Sequence, residues 1–291
     1  MKKRTVYMFF LIIVVFVLCG CNLEKEKQKV KIDIPKRGDY IDYSEVLNGK
    51  DYKTQESITG GEQSQIYKTD TSLKWIVISN ENGLIRAIAN KNIVDTSGKG
   101  LGFNKETGFI SGPGVLNVLC NSLYSTQYGT VRSVKVNDIV DLIQNKSHNK
   151  NEENKEYFEF TKGKFYSDGV FKEASEQNPI TVKSKYYSYY LKNEIDLEDF
   201  VAKEALNNKY HYWLADSGIE VHKDNNPYVV YGIQKMTGDQ ITLHNILKQS
   251  EKETTYQDTY YLGVRPIVEI KTNVKLKKEE SKSKRIWTII K

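Results

Sequence analysis

Cysteine, proline and long apolar runs are all scarce in this sequence of 291 residues, which contains three cysteines and five prolines. Cys120 is the only cysteine beyond residue 21, so we expect no disulfide within the body of the chain, and its stability must come from its core. The uncharged apolar run at residues 6–18 covers about 13 residues, whereas a membrane-spanning helix needs roughly 20. These shortages exclude a disulfide-built scaffold and argue against a permanent transmembrane anchor.

The N-terminus has the three zones of a secretory signal. Three cations, Lys2, Lys3 and Arg4, precede the apolar run, and Leu18-Cys19-Gly20-Cys21 closes it. This closing segment resembles the bacterial lipobox, although Cys19 stands where alanine, serine or threonine is usual. The resemblance implies that diacylglycerol is attached to Cys21 and that the chain is cleaved before it. The alternative is an uncleaved N-terminal membrane helix in which both cysteines are incidental.

Lipidation at Cys21 would make this a membrane protein without a spanning helix. Two acyl chains of the palmitate type give stable anchoring, whereas one chain gives only marginal, reversible binding. We therefore expect a lipoprotein held at the extracytoplasmic face of the cell membrane. Its parts are a signal peptide at 1–20, an anchor and polar stalk at 21–36, and a single globular domain at 37–291. A polar stretch at 144–156 suggests an exposed insertion.

The positive charge is unevenly distributed. The formal net charge is +6, of which three positive charges belong to the leader. Residues 271–291 carry eight lysines and arginines against Glu279 and Glu280, a local excess of six, so that residues 22–270 have a net charge near −3. We interpret the tail as a solvated basic loop and expect no specific nucleic-acid partner. Teichoic acid, phospholipid headgroups or nucleic acid would each be attracted to it nonspecifically.

The apolar pattern predicts an α+β fold, mixed, with a β-rich C-terminal half and two or three helices. Asn82-Gly83 between apolar runs at 75–78 and 84–88 predicts a hairpin covered on both faces, and strands are also expected at 38–43, 212–214, 261–270 and 286–290. A second hairpin is expected at 228–246, around residues 237–239. Helical spacing of apolar residues at 116–124 includes Cys120, which we expect to be a buried, inert thiol.

Two further helices and several loops complete the expected secondary structure. Asn137 resembles an N-cap for a helix over 138–143, and 197–206 predicts a short amphipathic helix with Leu197, Phe200, Val201 and Leu206 facing inward. The stretches at 49–61 and 95–114, and the basic segment after 270, are expected to be loops.

Several segments resemble a group of largely uncharacterised extracytoplasmic proteins of Gram-positive bacteria. The matching segments are Leu73-Lys74-Trp75; Leu116-Asn117, Cys120 and Leu123-Tyr124; Arg132-Ser133 and Asp138-Ile139; Tyr212-Trp213-Leu214-Ala215; and Gly263-Val264-Arg265-Pro266-Ile267-Val268. The resemblance implies a C-type-lectin-like or formylglycine-enzyme-like fold. Neither chemistry carries over, because the calcium-binding loop of the lectins and the paired cysteines of the enzymes are both missing here.

Three groups of residues are candidates for function. Tyr186, Tyr187, Tyr189 and Tyr190 are clustered and suit a carbohydrate-stacking platform, or else half-buried positions of a sheet. Asp216, Glu220, His222 and Asp224 form an acid–histidine cluster that suits a metal or an acid/base pair, or else an exposed charged hairpin. Arg265 suits a buried ion pair that holds strands together, or else a ligand contact.

The leading hypothesis is a noncatalytic surface module that binds an envelope polymer, a glycan or a partner protein, with no cofactor and no metal. The alternative is an extracytoplasmic hydrolase or metal-dependent enzyme that uses the 216–224 cluster. A transporter's solute receptor ranks third, because such proteins usually have two lobes of repeated strand–helix units.

Overall fold

Alternating apolar side chains place most of this chain in strands. The computed structural model describes residues 33–58, 63–104, 106–142, 157–167, 169–190, 200–205, 211–223, 225–238, 240–280 and 285–291. The strands of this part of the chain are β1 Tyr40–Asp42, β2 Asp51–Lys53, β3 Ile66–Lys68, β4 Trp75–Glu81, β5 Leu84–Ala89, β6 Leu101–Phe103, β7 Gly129–Ser133, β8 Tyr157–Phe160, β9 Gly163–Ser167, β10 Val170–Ala174, β11 Ile180–Lys183, β12 Tyr189–Tyr190, β13 Tyr212–His222, β14 Tyr228–Thr237, β15 Gln240–Ser250, β16 Thr254–Tyr256, β17 Tyr260–Val264, β18 Pro266–Lys271, β19 Leu276–Glu280 and β20 Arg285–Ile289. The α-helices are α1 Thr107–Ile110, α2 Gly112–Tyr124, α3 Val136–Leu142 and α4 Phe200–Ala205.

The first large sheet has the strand order β19-β20-β1-β4-β5-β18-β7. Asn82 and Gly83 both adopt positive φ values, 53° and 74°, as the type I′ turn between β4 and β5 requires. Residues 75–78 are buried throughout, which confirms the predicted hairpin with both faces covered. The parallel pairing of β1 with β20 brings the two ends of the body side by side.

The second large sheet has the order β12-β15-β14-β13-β17-β6, with β16 paired to β15. The β14–β15 hairpin confirms the prediction for residues 228–246. The run at 261–270 is divided at Arg265, because β17 pairs within this sheet while β18 pairs within the first. Three two-stranded sheets, β2–β3, β8–β11 and β9–β10, complete the strand pairing of the described residues.

Helix α2 confirms the helical pattern at 116–124. Leu116, Leu119, Cys120 and Leu123 are fully buried in the main core, where they join apolar residues of both large sheets. Three predicted loops are wrong in part, since β2 lies within 49–61, β6 and α1 lie within 95–114, and β19 lies within the basic segment. These strands are only three to five residues long, too short for a recognisable alternating pattern, and the partner of β6 lies about 160 positions away in sequence.

The two remaining helices differ from their predictions in detail. Helix α3 begins at Val136, so Asn137 lies inside its first turn and is not the N-cap. Helix α4 buries Val201, as expected, but Phe200 is 41% exposed and lies beside Tyr40. Residues 197–199 and 206 lie outside the described residues, as does the whole of the predicted insertion at 144–156.

The architecture is therefore a β-rich α+β fold with several sheets. Pro35–Lys291 forms one compact unit. Among the residues that the structure describes, no helix combines the length and apolarity needed to cross a membrane.

Candidate functional site

A cleft of about 690 Å³ lies where β5 and β7 begin and β18 ends. Its lining consists of Leu84, residues 126–130, Glu269, Lys271, residues 273–275 and Ile290. We call it the large cleft. Its volume falls in the range of roughly 300–1,000 Å³ that is typical of ligand sites in proteins. The lining offers hydroxyl, amide, ammonium and carboxylate groups beside aliphatic side chains, so it suits binding through hydrogen bonds and charge.

Both walls of the large cleft are held by defined hydrogen bonds. On one side, the Tyr43 hydroxyl lies 2.7 Å from Thr126 Oγ1, which also accepts a hydrogen bond from the Tyr128 backbone N–H. On the other side, the Thr272 N–H donates to Gly83 O and the Ile290 N–H donates to Lys275 O, each at 3.0 Å. Walls fixed in this way lose little conformational entropy when a ligand binds.

An ion-pair network extends from Glu269, the one acidic residue among the described residues that line the large cleft. Arg132 donates two hydrogen bonds to Asp138, at 2.6 and 2.8 Å, and its Nε donates to Glu269 at 3.1 Å. Arg86 Nε donates to the same Glu269 oxygen at 3.3 Å. Burial by itself lowers the pKa of Arg132, but the hydrogen bonds and charges of Asp138 and Glu269 outweigh this effect and raise it. The four residues link β5, β7, β18 and α3.

A smaller cleft of about 300 Å³ lies on the other side of the turn formed by residues 126–128. We call it the small cleft. The two clefts share residues 126–128, and the small cleft is also lined by Leu47, Asn48 and Lys50. Lys50 Nζ donates to Ser125 O at 3.1 Å, which fixes the ammonium at the wall. The 126–128 turn therefore presents ligand-accessible surface on two sides.

The predicted acid–histidine cluster is divided in the structure. The Asp216 carboxylate accepts a hydrogen bond of 2.7 Å from the Val136 N–H, at the start of α3, where unpaired backbone donors need an acceptor. A register shift between Trp213 and Ser217 interrupts the pairing of β13 with β14 around Asp216. Asp224 lies outside the described residues. Within the described residues, no group of three or more histidine, cysteine, aspartate or glutamate side chains is arranged to hold a metal ion.

Glu220 and His222 remain together on β13. His222 Nε2 lies 3.1 Å from Glu220 Oε1, and the His222 ring stacks on Tyr228 with centroids 4.2 Å apart. Lys248 Nζ lies 3.9 Å from the centre of the Tyr228 ring. This array on adjacent strands has the features of an ordinary charged sheet surface, one of the two interpretations given for the cluster.

The segment with the four tyrosines lies against the second sheet, where Lys185 bridges to Ile219 of β13 and Tyr189–Tyr190 pairs with β15. Tyr187 is half-buried and packs against core residues, and Tyr186 is half-buried with its Cβ near Gly218. The backbone of Tyr189–Tyr190 forms β12, and their side chains lie outside the described part of the structure. The binding role of the four tyrosines stays a prediction.

Arg265 is fully buried at the crossing between the two large sheets. Its Nε donates to Ala89 O at 3.0 Å, its Nη2 donates to Glu204 O at 2.8 Å, and its guanidinium lies 5.3 Å from the centre of the Tyr212 ring. These contacts join β5, α4 and β13, so Arg265 does hold elements together, through backbone carbonyls. Gly263 is required nearby, since a Cβ there would lie 2.5 Å from the Asn92 side chain.

Of the two cysteines in the expected mature chain, the structure describes Cys120. Cys120 is fully buried in α2, and burial raises the pKa of its thiol, as an inert thiol requires. Cys21, the expected lipidation site, lies outside the described residues.

Sequence reasoning did not identify the large cleft. Its lining comes from four separated segments, and Lys271 and Lys275 were noted only as part of a basic tail. No protein-family model, curated protein or solved structure matches this chain.

Proposed function

We propose that this chain is a lipid-anchored, noncatalytic binding module at the extracytoplasmic face of the cell membrane. Its ligand, an envelope polymer, glycan or partner protein, occupies the large cleft. The observation that carries the proposal is a cleft of about 690 Å³ with hydrogen-bonded walls and exposed Gln127, Thr130 and Asn273 side chains. Amide and hydroxyl groups of this kind orient polar ligands.

The anchor part of the proposal has its own support in the sequence. The leader and the Leu18–Cys21 segment have the lipobox pattern, and the polar residues 22–36 provide a stalk. Replacement of Cys21 by alanine should abolish incorporation of labelled palmitate and release the protein from the membrane fraction. Unchanged membrane retention of the Cys21→Ala chain would favour the uncleaved helix instead.

A C-type-lectin-like fold belongs to the same proposal. It is supported by the segments that resemble the extracytoplasmic family. An experimental structure superimposed on lectin domains tests this relationship, and a different strand connectivity would contradict it.

The enzyme alternative is less well supported. The Asp216 carboxylate accepts a hydrogen bond from the start of α3, whereas Glu220 and His222 contact each other. If the chain is a hydrolase that uses the cluster, a His222→Gln, Glu220→Gln double variant should lose turnover while keeping its stability. Turnover of envelope material that persists in the double variant would contradict the alternative.

Binding of purified envelope fractions by the full chain tests the cleft directly. Replacement of Gln127 and Asn273 by alanine removes two exposed amides, each worth about 0.5–1.5 kcal/mol, so we expect affinity to fall about tenfold. The matched control is Gln55→Ala with Asn225→Ala, two exposed amides outside both clefts, which should leave affinity unchanged.

A third variant separates the cleft from the tyrosine platform. Replacement of Tyr186 by alanine should leave affinity within about twofold if the cleft is the site. A larger loss with Tyr186→Ala than with the cleft variant would transfer the site to the tyrosine cluster. Absence of binding to every envelope fraction would contradict the proposed function.

A further inference from the structure

The charge of Glu269, the one acidic residue among the described residues that line the large cleft, is neutralised by its ion-pair network. Glu269 accepts hydrogen bonds from Arg86 and Arg132, and Asp138 accepts two from Arg132. Two arginines and two carboxylates therefore form a neutral group. A carboxylate held by two guanidinium groups contributes little repulsion toward an approaching anion.

The remaining charges of the large cleft are two ammonium groups. Lys271 and Lys275 are both exposed, and neither forms an ion pair with any residue that the structure describes. The Val274 N–H donates to Lys271 O at 3.0 Å, so the two lysines flank one tight turn. The large cleft consequently presents two cations on a wall of fixed backbone.

Aliphatic side chains lie beside these cations. Leu84, Val274 and Ile290 line the same cleft, and Leu84 is the direct pairing partner of Lys271. From this alternation of cations with hydrocarbon, and resting on the proposed function, we infer that the large cleft binds a phosphodiester-linked polyol polymer. Its phosphates pair with Lys271 and Lys275, and its carbon units contact the aliphatic side chains.

The shape of the site favours a polymer over a lipid surface. A planar array of headgroups cannot enter a concave cleft, whereas a narrow, flexible chain can.

The start of the compact unit lies near the cleft. Asn80 Nδ2 donates to Pro35 O at 2.8 Å, and Asn80 pairs with Ile85, next to Leu84. Thirteen residues lie between Cys21 and Pro35, and this stretch spans at most about 50 Å, so an anchored chain keeps the cleft within reach of membrane-proximal polymers.

The test uses the full lipidated chain in phosphatidylcholine vesicles, with a glycerol phosphate oligomer as the probe. Replacement of Lys271 and Lys275 by glutamine keeps a polar side chain, one methylene shorter, and removes both charges. We expect affinity to fall at least tenfold and its salt dependence to weaken. The matched control, Lys53→Gln with Lys252→Gln, removes two exposed cations elsewhere and should leave affinity within about twofold.

Three results would overturn the inference. Equal losses in both double variants would show general charge attraction. Binding of neutral dextran with no binding of the oligomer would exclude a phosphodiester ligand while leaving the proposed function intact. Loss of oligomer binding when phosphatidylglycerol is added to the vesicles would assign the cleft to lipid headgroups. Failure of every envelope fraction to bind, by contrast, would contradict the proposed function itself.

Discussion

The segment 216–222 and the large cleft assemble their polar groups in opposite ways. In the segment, acidic and histidine side chains adjacent in sequence are separated, because Asp216 caps α3 while Glu220 and His222 face each other further along β13. In the cleft, four distant stretches of chain converge on one cavity. Proximity in sequence was therefore a poor guide to both sites. An irregularity in β13 separates Asp216 from Glu220 and His222, whereas strand pairing in the first sheet brings together cleft residues that are far apart in the sequence.

The largest effect should come from breaking the ion-pair network that holds Glu269 at the large cleft. Replacement of Arg132 by methionine leaves Asp138 and Glu269 without their main cation in a mostly buried setting. Removing one partner of such a network costs about 2–4 kcal/mol, which urea denaturation would show as a lower midpoint with an unchanged slope. Arg132→Lys should recover part of this loss. A cost below about 1 kcal/mol would mean that the network does not stabilise the cleft.

A comparable effect should appear at His244, a half-buried residue of β15 in the sheet that carries His222. Burial, followed by the charge of Lys235, lowers the pKa of His244 to about 4, and its buried Nε2 has no hydrogen-bond partner among the residues that the structure describes. The unfolded chain takes up this proton near pH 6.5. The unfolded state therefore binds more protons as the pH falls from 6.5 to 4, and the free energy of unfolding drops by about 2–3 kcal/mol.

The His244→Phe variant keeps a ring against Tyr260 and cannot titrate. Its unfolding free energy, measured at pH 7 and pH 4.5, should fall less than that of the parent chain. Equal pH dependence of the two proteins would exclude His244 as a source of acid instability.

A smaller difference should separate Asp216 from the rest of its predicted cluster. Asp216→Ala removes the acceptor at the start of α3 and should cost about 1 kcal/mol, whereas Asp216→Asn retains a side-chain oxygen and should restore most of it. Glu220→Ala and His222→Ala alter a surface pair and should each change stability by less than about 0.5 kcal/mol. Thermal denaturation of the four variants checks the order, and equal costs would contradict the division of the cluster.

The smallest effect is expected from the lysines of the cleft. Because Lys271 and Lys275 are exposed and make no ion pair with a described residue, their replacement by glutamine should change stability by less than about 0.5 kcal/mol. This is measured by urea denaturation alongside the binding assay. Marked destabilisation would mean that the two lysines support the fold and do not act as ligand contacts.

Sequence patterns predicted the elements that local chemistry specifies. The β4–β5 hairpin depends on Asn82-Gly83, and α2 depends on apolar side chains repeated at helical spacing. Strand β6 could not be predicted in the same way, since it consists of three residues that pair with β17 about 160 positions later. Helix α3 begins one residue before Asn137, at Val136. The acceptor for the Val136 N–H is the Asp216 carboxylate, which belongs to β13 and is distant in sequence.

The sequence by itself determined the strand-rich character of the body, the two main hairpins, the buried Cys120 helix and the expectation of a lipid anchor at Cys21. Each of these features depends on residues that lie close together in the sequence. The tertiary structure alone decided that Arg265 crosses between two sheets, that Asp216 caps a helix, and that residues 84, 126–130, 269–275 and 290 share a cleft. The physical reason is that strand pairing joins residues by register, which depends on how the whole core packs and not on any single stretch of chain.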